Sequence, residues 1–491
     1  MTTGVATALQ SVTFTSLYRD SVTLMMIASQ LQQLPGVERA GVVMATPANL
    51  AILDAAGMLP AGVAASPDDL LVVVRAMEQA SADTAIAFAT DHISGVGQAE
   101  ASQAEQSRPA TVLEGMQVMP AANLLAVSTP GAYAPLLVKQ GLEAGLNVFC
   151  FSDNVSLQDE VALKRLAASR QLLLMGPDCG TALIDGSPLG FVNAVSPGPV
   201  GIVSASGTGA QEVMCQLDAL GVGISQAIGV GGRDLSAEVG ATMTFAALDA
   251  LASDEQTTCI VLIGKPPAPA VARALLAYLA DFTKPVVMCL IGGGAQLATG
   301  PVTTAPTLAD AAVAAARIVG MAIPASIPRE PAVGAVTATR VLLGLYTGGT
   351  LASEAKYLLR QQGIEAEILD LGDDQYTVGR PHPMIDPSQR SERLVQAGGN
   401  PEVGVVLVDL VLGFGAAVDP ATPLADAARA AKAHAIADGR VLAVVASVCG
   451  TAGDPQSLDM QRQALIDAGV IVAQSNAAAV DIAAQLLKAG A

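Results

Sequence analysis

The chain is predicted to be an α/β protein of about three domains behind a small N-terminal α+β cap. Three observations predict it. Its 491 residues exceed what one hydrophobic core usually organises. From residue 123 onward, short apolar runs alternate with helical stretches, the pattern of parallel βαβ units. One strand–turn–helix corner is also written twice, as Gly201-Ile-Val-Ser-Ala-Ser-Gly-Thr-Gly-Ala-Gln-Glu212 and as Gly344-Leu-Tyr-Thr-Gly-Gly-Thr-Leu-Ala-Ser-Glu354.

The elements follow in order. In the cap, residues 1–95, Ser21 opens a helix through Leu34, Pro35-Gly36 stops it, and residues 40–45 are extended; a further strand, 70–74, follows the turn Ser66-Pro67-Asp68-Asp69. Residues 96–122, rich in Gly, Gln, Ser and Glu, read as a linker. Residues 123–196 alternate strands near 124–127, 147–151 and 172–175 with helices near 132–144 and 157–168. Pro197-Gly198-Pro199 marks a boundary, and 197–323 repeats the alternation. A Pro-rich linker, 324–335, leads to a third α/β block, 336–491.

Composition excludes several classes. A hydrophobic fraction of 52% and mean hydropathy of +0.49 come from short runs broken by Gly, Pro or charge, so no membrane span is expected. No secretory signal is expected at the N-terminus, which makes cytoplasmic the default location. The six cysteines form no C-x-x-C pair and read as core residues. A net charge of -19, no Trp and 3% aromatics argue against nucleic-acid binding.

The repeated corner carries the first chemistry. A helix opening on a tight Gly-Thr turn presents unpaired N–H groups and a positive dipole end, suited to phosphate or carboxylate. Ser206, Gly207 and Thr208, and likewise Gly348, Gly349 and Thr350, are the candidate anion binders. Laying Gly207-Thr208 on Gly349-Thr350 places Glu212 on Glu354; Glu212 either positions a cationic partner, orients an amide or is an ordinary helix-surface acid. Lys265 and Arg233 follow strand ends, where α/β sites form. Lys265 can neutralise phosphate as a point charge or point into solvent. Arg233 can grip a carboxylate bidentately or pair on the surface with Asp234 or a neighbour. His382, between two prolines and near Asp373, Asp374 and Asp386, is a candidate general acid or base, a subunit contact or a solvated loop residue. The carboxylates show no regular ligand spacing, and no metal is expected.

Residues 123–184, ending in Met175-Gly176-Pro177-Asp178-Cys179-Gly180, followed by the first corner, resemble part of the CoA-binding domain and the first ligase domain of a succinyl-CoA synthetase α subunit. Residues 369–487, with Leu407-Val-Asp-Leu-Val-Leu-Gly-Phe-Gly415, are similar to the C-terminal ligase domain of the β subunit. Fused in this order, and with Gly372-Asp373-Asp374 and Pro381-His382-Pro383-Met384-Ile385-Asp386-Pro387, the chain resembles the FdrA family. The resemblance implies a Rossmann-like CoA-binding-type domain at 123–196 and flavodoxin-like ligase domains at 197–323 and 336–491. It also implies that Gly413 and Gly415 belong to a helix N-terminus facing the Ser206 corner across a phosphoryl group.

Three parts of acyl-CoA synthesis are not visible. Residues 291–300, where the synthetases carry a phosphorylated histidine, hold none; the chain has only His92, His382 and His434. The turn Ala45-Thr46-Pro47-Ala48-Asn49 lacks the glycine spacing of a CoA loop, and no ATP-grasp domain precedes the third block. The resemblance to FdrA implies a subunit of an oxamate-carbamoyltransferase-type enzyme of purine and allantoin catabolism, with carbamoyl phosphate as substrate, CoA as a possible ligand, and other subunits of a hetero-oligomer or further copies of the chain as partners. The competing readings are an NDP-forming acyl-CoA synthetase subunit and a non-catalytic scaffold.

Overall fold

The computed structural model describes residues 8–17, 19, 21–60, 62–101, 109–293, 300–323, 341–377 and 381–490. The linker expected at 324–335 and most of the segment 291–300 lie outside the described residues. The chain divides into two compact units, 1–108 with 378–381, and 109–377 with 382–491.

The first unit contains β1 (Ala8–Phe14), α1 (Ser21–Gln32), β2 (Val37–Met44), α2 (Pro47–Ala55), β3 (Leu70–Ala76) and α3 (Gln79–Ala101). Its antiparallel sheet has the order β1-β3-β2. Strand β3, Leu-Leu-Val-Val-Val-Arg-Ala, is central because nearly every residue is buried. The α+β cap is therefore as expected. Helix α3 runs into residues 96–101, which were expected in a linker.

The second unit opens with α4 (Val112–Val118), also inside the expected linker. Thr111 Oγ1 accepts from Glu114 N–H at 3.2 Å, and Glu114 accepts from Ala110 N–H at 2.7 Å, a capping-box arrangement displaced by one residue. Then come β4 (Leu124–Val127), α5 (Ala134–Glu143), β5 (Asn147–Cys150), α6 (Leu157–Ser169) and β6 (Leu174–Met175), with the three strands parallel in the order β4-β5-β6.

A larger sheet follows, from β7 (Thr181–Ile184), β8 (Ser187–Gly190), β9 (Pro197–Ser204), α7 (Gly207–Ala219), β10 (Ile224–Gly229), α8 (Thr242–Ser253), β11 (Cys259–Gly264), α9 (Pro269–Leu279), β12 (Val286–Leu290), β13 (Val302–Thr304) and α10 (Leu308–Ile318). Its order is β13-β12-β11-β9-β10-β7-β8. Residues 181–190 fall within the domain expected at 123–196, but as the β7–β8 hairpin they join this sheet, antiparallel to β10. The last block holds β14 (Val341–Tyr346), α11 (Gly349–Gln361), β15 (Glu367–Asp370), α12 (Asp374–Thr377), α13 (Ser388–Gly398), β16 (Val403–Val411), α14 (Ala421–Ala437), β17 (Ala443–Cys449), α15 (Leu458–Asp467), β18 (Ile471–Ala473) and α16 (Asn476–Gly490), on a parallel sheet of order β15-β14-β16-β17-β18.

In each large sheet the strand order reverses at the first parallel strand, β9 or β14. Ligand crevices of doubly wound sheets open at such points, and both repeated corners lie there. One continuous core, including Val213, Met214, Leu308, Leu351, Ala355 and Val480, joins the two sheets through α7, α10, α11 and α16. All six cysteines are buried and free.

Candidate functional site

The two corners touch. Ser206 caps α7, accepting from Gly209 N–H at 2.9 Å, and its hydroxyl also hydrogen-bonds that of Thr350 at the start of α11. Thr208 packs on Gly348, where a β-carbon would come within 2.9 Å of the threonine side chain. Among the described residues, the N–H groups of Gly207 and Thr208 have no acceptor, which leaves the dipole end of α7 open to an anion. The second corner differs. The N–H groups of Thr347 and Gly348 both donate to Asp409 at 2.8 Å, and Asp409 is buried against Arg390.

Of the readings offered for Glu212, that of a helix-surface acid does not hold. It is 2% exposed, and its carboxylate accepts from Gln216 at 3.1 Å and from the first N–H of α16, that of Asn476, at 3.3 Å. Its repeat partner Glu354 accepts from the first N–H of α10, that of Leu308, and from the Asn476 side-chain amide, each at 2.8 Å. Each glutamate thus lies near the N-terminus of a helix in the other α/β half, so the repeat encodes a reciprocal clasp.

Burial pushes Glu354 up from an ordinary 4.5 to about 7. Its folded value lies above its unfolded one, so the stability it contributes is complete below pH 4.5 and is lost as pH rises through about 7. The loss is on the order of 3 kcal/mol. Urea midpoints measured from pH 5 to 8 are expected to fall more steeply for the native chain than for Glu354→Gln. Parallel slopes would contradict the buried clasp.

Gly413 and Gly415 also correct an expectation: they do not open a helix. They have φ of 113° and 79°, and a β-carbon at 413 would come within 2.5 Å of the Val192 carbonyl. Gly413 N–H donates to Gln456 and Phe414 N–H to Val192. The turn fastens the segment before β9 to the last domain, helped by Asp454, which accepts from Asn193 and Ala194 at 2.8 and 2.7 Å. It is α11 that faces α7.

Around the apposed corners stand Lys265, Asp370 and His382. Lys265 is exposed after β11, and its charge reaches Asp370 at the end of β15. His382 packs on Phe191, ring centres 5.9 Å apart. Its Nδ1 accepts from Met384 N–H at 3.2 Å, which assigns the proton of the neutral ring to Nε2. Burial drives its pKa down to about 4, so at neutral pH the imidazole has no proton to give as a cationic acid and can serve as an N–H donor.

Arg233 is not paired with Asp234 on the surface. Its Nε meets Glu160 at 2.7 Å and its terminal nitrogen donates to the Val155 carbonyl at 2.8 Å. Glu160 holds Lys164 at 2.8 Å, and Lys164 holds Asp234 at 2.8 Å. Asp234 in turn accepts from the N–H groups of Met243 and Thr244 at the start of α8. This buried chain fixes Arg233 on the wall of a cavity of about 350 Å³ lined also by Asp153, Asn154, Val155, Pro177, Asp178 and Gly232. The cavity lies at the C-terminal ends of β5, β6 and β10. A charged network of this kind fixes the orientation of the Arg233 guanidinium. Sequence reading missed Asp153, Asp178, Asp370 and Asp409; Asp153 and Asp178 were signalled only by following β5 and β6, whereas Asp370 ends β15 and Asp409 lies within β16.

Residues 345–486 match the CoA-ligase family, 195–292 a CoA binding domain, and 7–109 the AllF heavy metal-associated domain. The CoA binding match thus falls on the sheet built around β9 rather than on 123–196. Residues 7–109 contain no cysteine and one histidine, His92. That donor set lacks the thiolates a soft-metal site uses, and it does not fit a heavy metal. Among the described residues no helix is long and apolar enough to cross a membrane.

The chain is 39% identical over 490 residues to the uncharacterized protein YahF of Escherichia coli (strain K12), covering 94% of this chain and 95% of that one. It is 28% identical over 220 residues to the malate–CoA ligase subunit alpha of Methylorubrum extorquens, 42% of this chain and 72% of that one. It is 29% identical over 211 residues to the ADP-forming succinate–CoA ligase subunit alpha of Staphylococcus aureus, 42% of this chain and 68% of that one. The chain belongs to the family of CoA-ligase and CoA-binding proteins with an AllF-type N-terminal domain that includes YahF.

Proposed function

We propose that the protein is a subunit of a carbamoyltransferase of the oxamate carbamoyltransferase type, acting in purine and allantoin catabolism, with carbamoyl phosphate as the donor. The observation that carries this reading is the open N-terminus of α7, whose Gly207 and Thr208 N–H groups have no acceptor among the described residues, in a chain with no histidine at residues 291–300. Phosphate held there cannot pass to an imidazole of that segment, so it stays on a small substrate. Gly207, Thr208 and the Ser206 hydroxyl hold the phosphate, Lys265 offsets its charge, and Arg233 binds the carboxylate of the acceptor. Fixed donors aimed at the leaving phosphate are worth about a hundredfold to a thousandfold each in rate.

Phosphorus NMR of the chain with its partner subunits tests this. Release of inorganic phosphate from carbamoyl phosphate is expected to exceed the spontaneous breakdown rate only when oxamate is present. The second reading, an NDP-forming acyl-CoA synthetase subunit, is favoured by the CoA binding match at 195–292. It predicts CoA-dependent ADP–ATP exchange in the same complex instead.

A further inference from the structure

The two corners are alike in sequence and opposite in charge. At α7 the open N–H groups attract an anion. At α11 the Asp370 carboxylate lies against Gly349, where a β-carbon would meet its Oδ2 at 2.5 Å. Its Oδ1 accepts from Gly372 N–H at 3.1 Å, and His382 Nε2 lies beside the same glycine. The charged groups acting on Asp370 are Asp409 from β16, Asp373 from its own loop and Lys265 from the neighbouring sheet. A phosphate bound at the open N–H groups of α7 stands beside the start of α11, where Asp370 adds negative charge, so a carbamoyl phosphate turns its carbamoyl end toward α11.

We propose that Asp370 is the proton acceptor of the transfer, a catalytic role that rests on the carbamoyl-transfer reading. The acceptor nitrogen attacks the carbamoyl carbon and forms the C–N bond. The C–O bond to phosphate breaks, and its electron pair leaves with the phosphate at α7. The N–H proton passes to the Asp370 carboxylate and from there to solvent. Burial holds Asp370 up to about 6, which keeps it ionised at neutral pH while making it a better base than an exposed aspartate.

The experiment is the pH dependence of kcat in the assembled complex, for the native chain and for Asp370→Asn. The native profile is expected to fall on its acid side near pH 6. Asp370→Asn is expected to lose about a hundredfold to ten-thousandfold in kcat and to lose that acid limb, while inorganic phosphate binds at least as tightly because one negative charge is gone. Asp370→Glu keeps the limb at reduced kcat. Retained phosphate binding shows that the variant is folded. A native profile flat through pH 6, or an Asp370→Asn enzyme with unchanged kcat, overturns the assignment and leaves carbamoyl transfer standing. Absence of transfer by the native complex overturns both.

Discussion

Lys164→Met is expected to cost about 3–5 kcal/mol of stability, the range for breaking a buried ion pair from one side. Lys164 is fully buried, and its ammonium meets Glu160, Asp234 and the Val230 carbonyl, each at 2.8 Å. Without it, two carboxylates remain out of water. Asp234 keeps its donors at the start of α8, and Glu160 keeps only the partly exposed Arg233. The triple change Lys164→Met, Glu160→Gln, Asp234→Asn is expected to recover most of the loss, because neutral groups carry no such desolvation cost. Urea unfolding followed by circular dichroism checks both. A loss below about 1 kcal/mol, the range of exposed pairs, would mean that the network is solvated.

Gly207→Glu is expected to weaken phosphate and carbamoyl phosphate binding by about a thousandfold. A like charge about 4 Å away at an effective dielectric near 20 costs about 4 kcal/mol, and each tenfold in affinity is about 1.4 kcal/mol. The fold should tolerate the change. Gly207 is the first helical residue, does not have a positive φ, and a β-carbon there would meet Thr181 Oγ1 at 3.1 Å and the Gly180 backbone at 3.6 and 3.8 Å, with only the first contact tight. An acid in the first turn also favours the helix dipole. Calorimetric titration with an unchanged melting curve as control reads the effect. Unchanged binding would move the anion site elsewhere.

Much of the architecture was legible because strand and helix alternation is a local signal. The two corners were legible for the same reason, as the turn, the cap and the first helical turn are contiguous in sequence. The role of Glu212 was not, because its partner Asn476 is 264 residues away. A repeat tells that two residues are equivalent, and only the packing tells that they clasp opposite halves. The helix at 112–118 did carry a signal, Thr111-x-x-Glu114, obscured by the polar residues around it. The β7–β8 hairpin likewise carried Asp185-Gly186, both at positive φ, a two-residue turn favoured by Asp-Gly. Asp370 stood one turn away from the Gly372-Asp373-Asp374 motif, and its place beside Gly349 comes from parallel pairing of β15 with β14.

The most direct test of the account is calorimetric titration of the native chain with carbamoyl phosphate, inorganic phosphate and CoA. Carbamoyl phosphate and phosphate are expected to bind competitively, with no heat from CoA. Binding of CoA without carbamoyl phosphate would contradict the carbamoyl-transfer reading and return the chain to acyl-CoA synthesis.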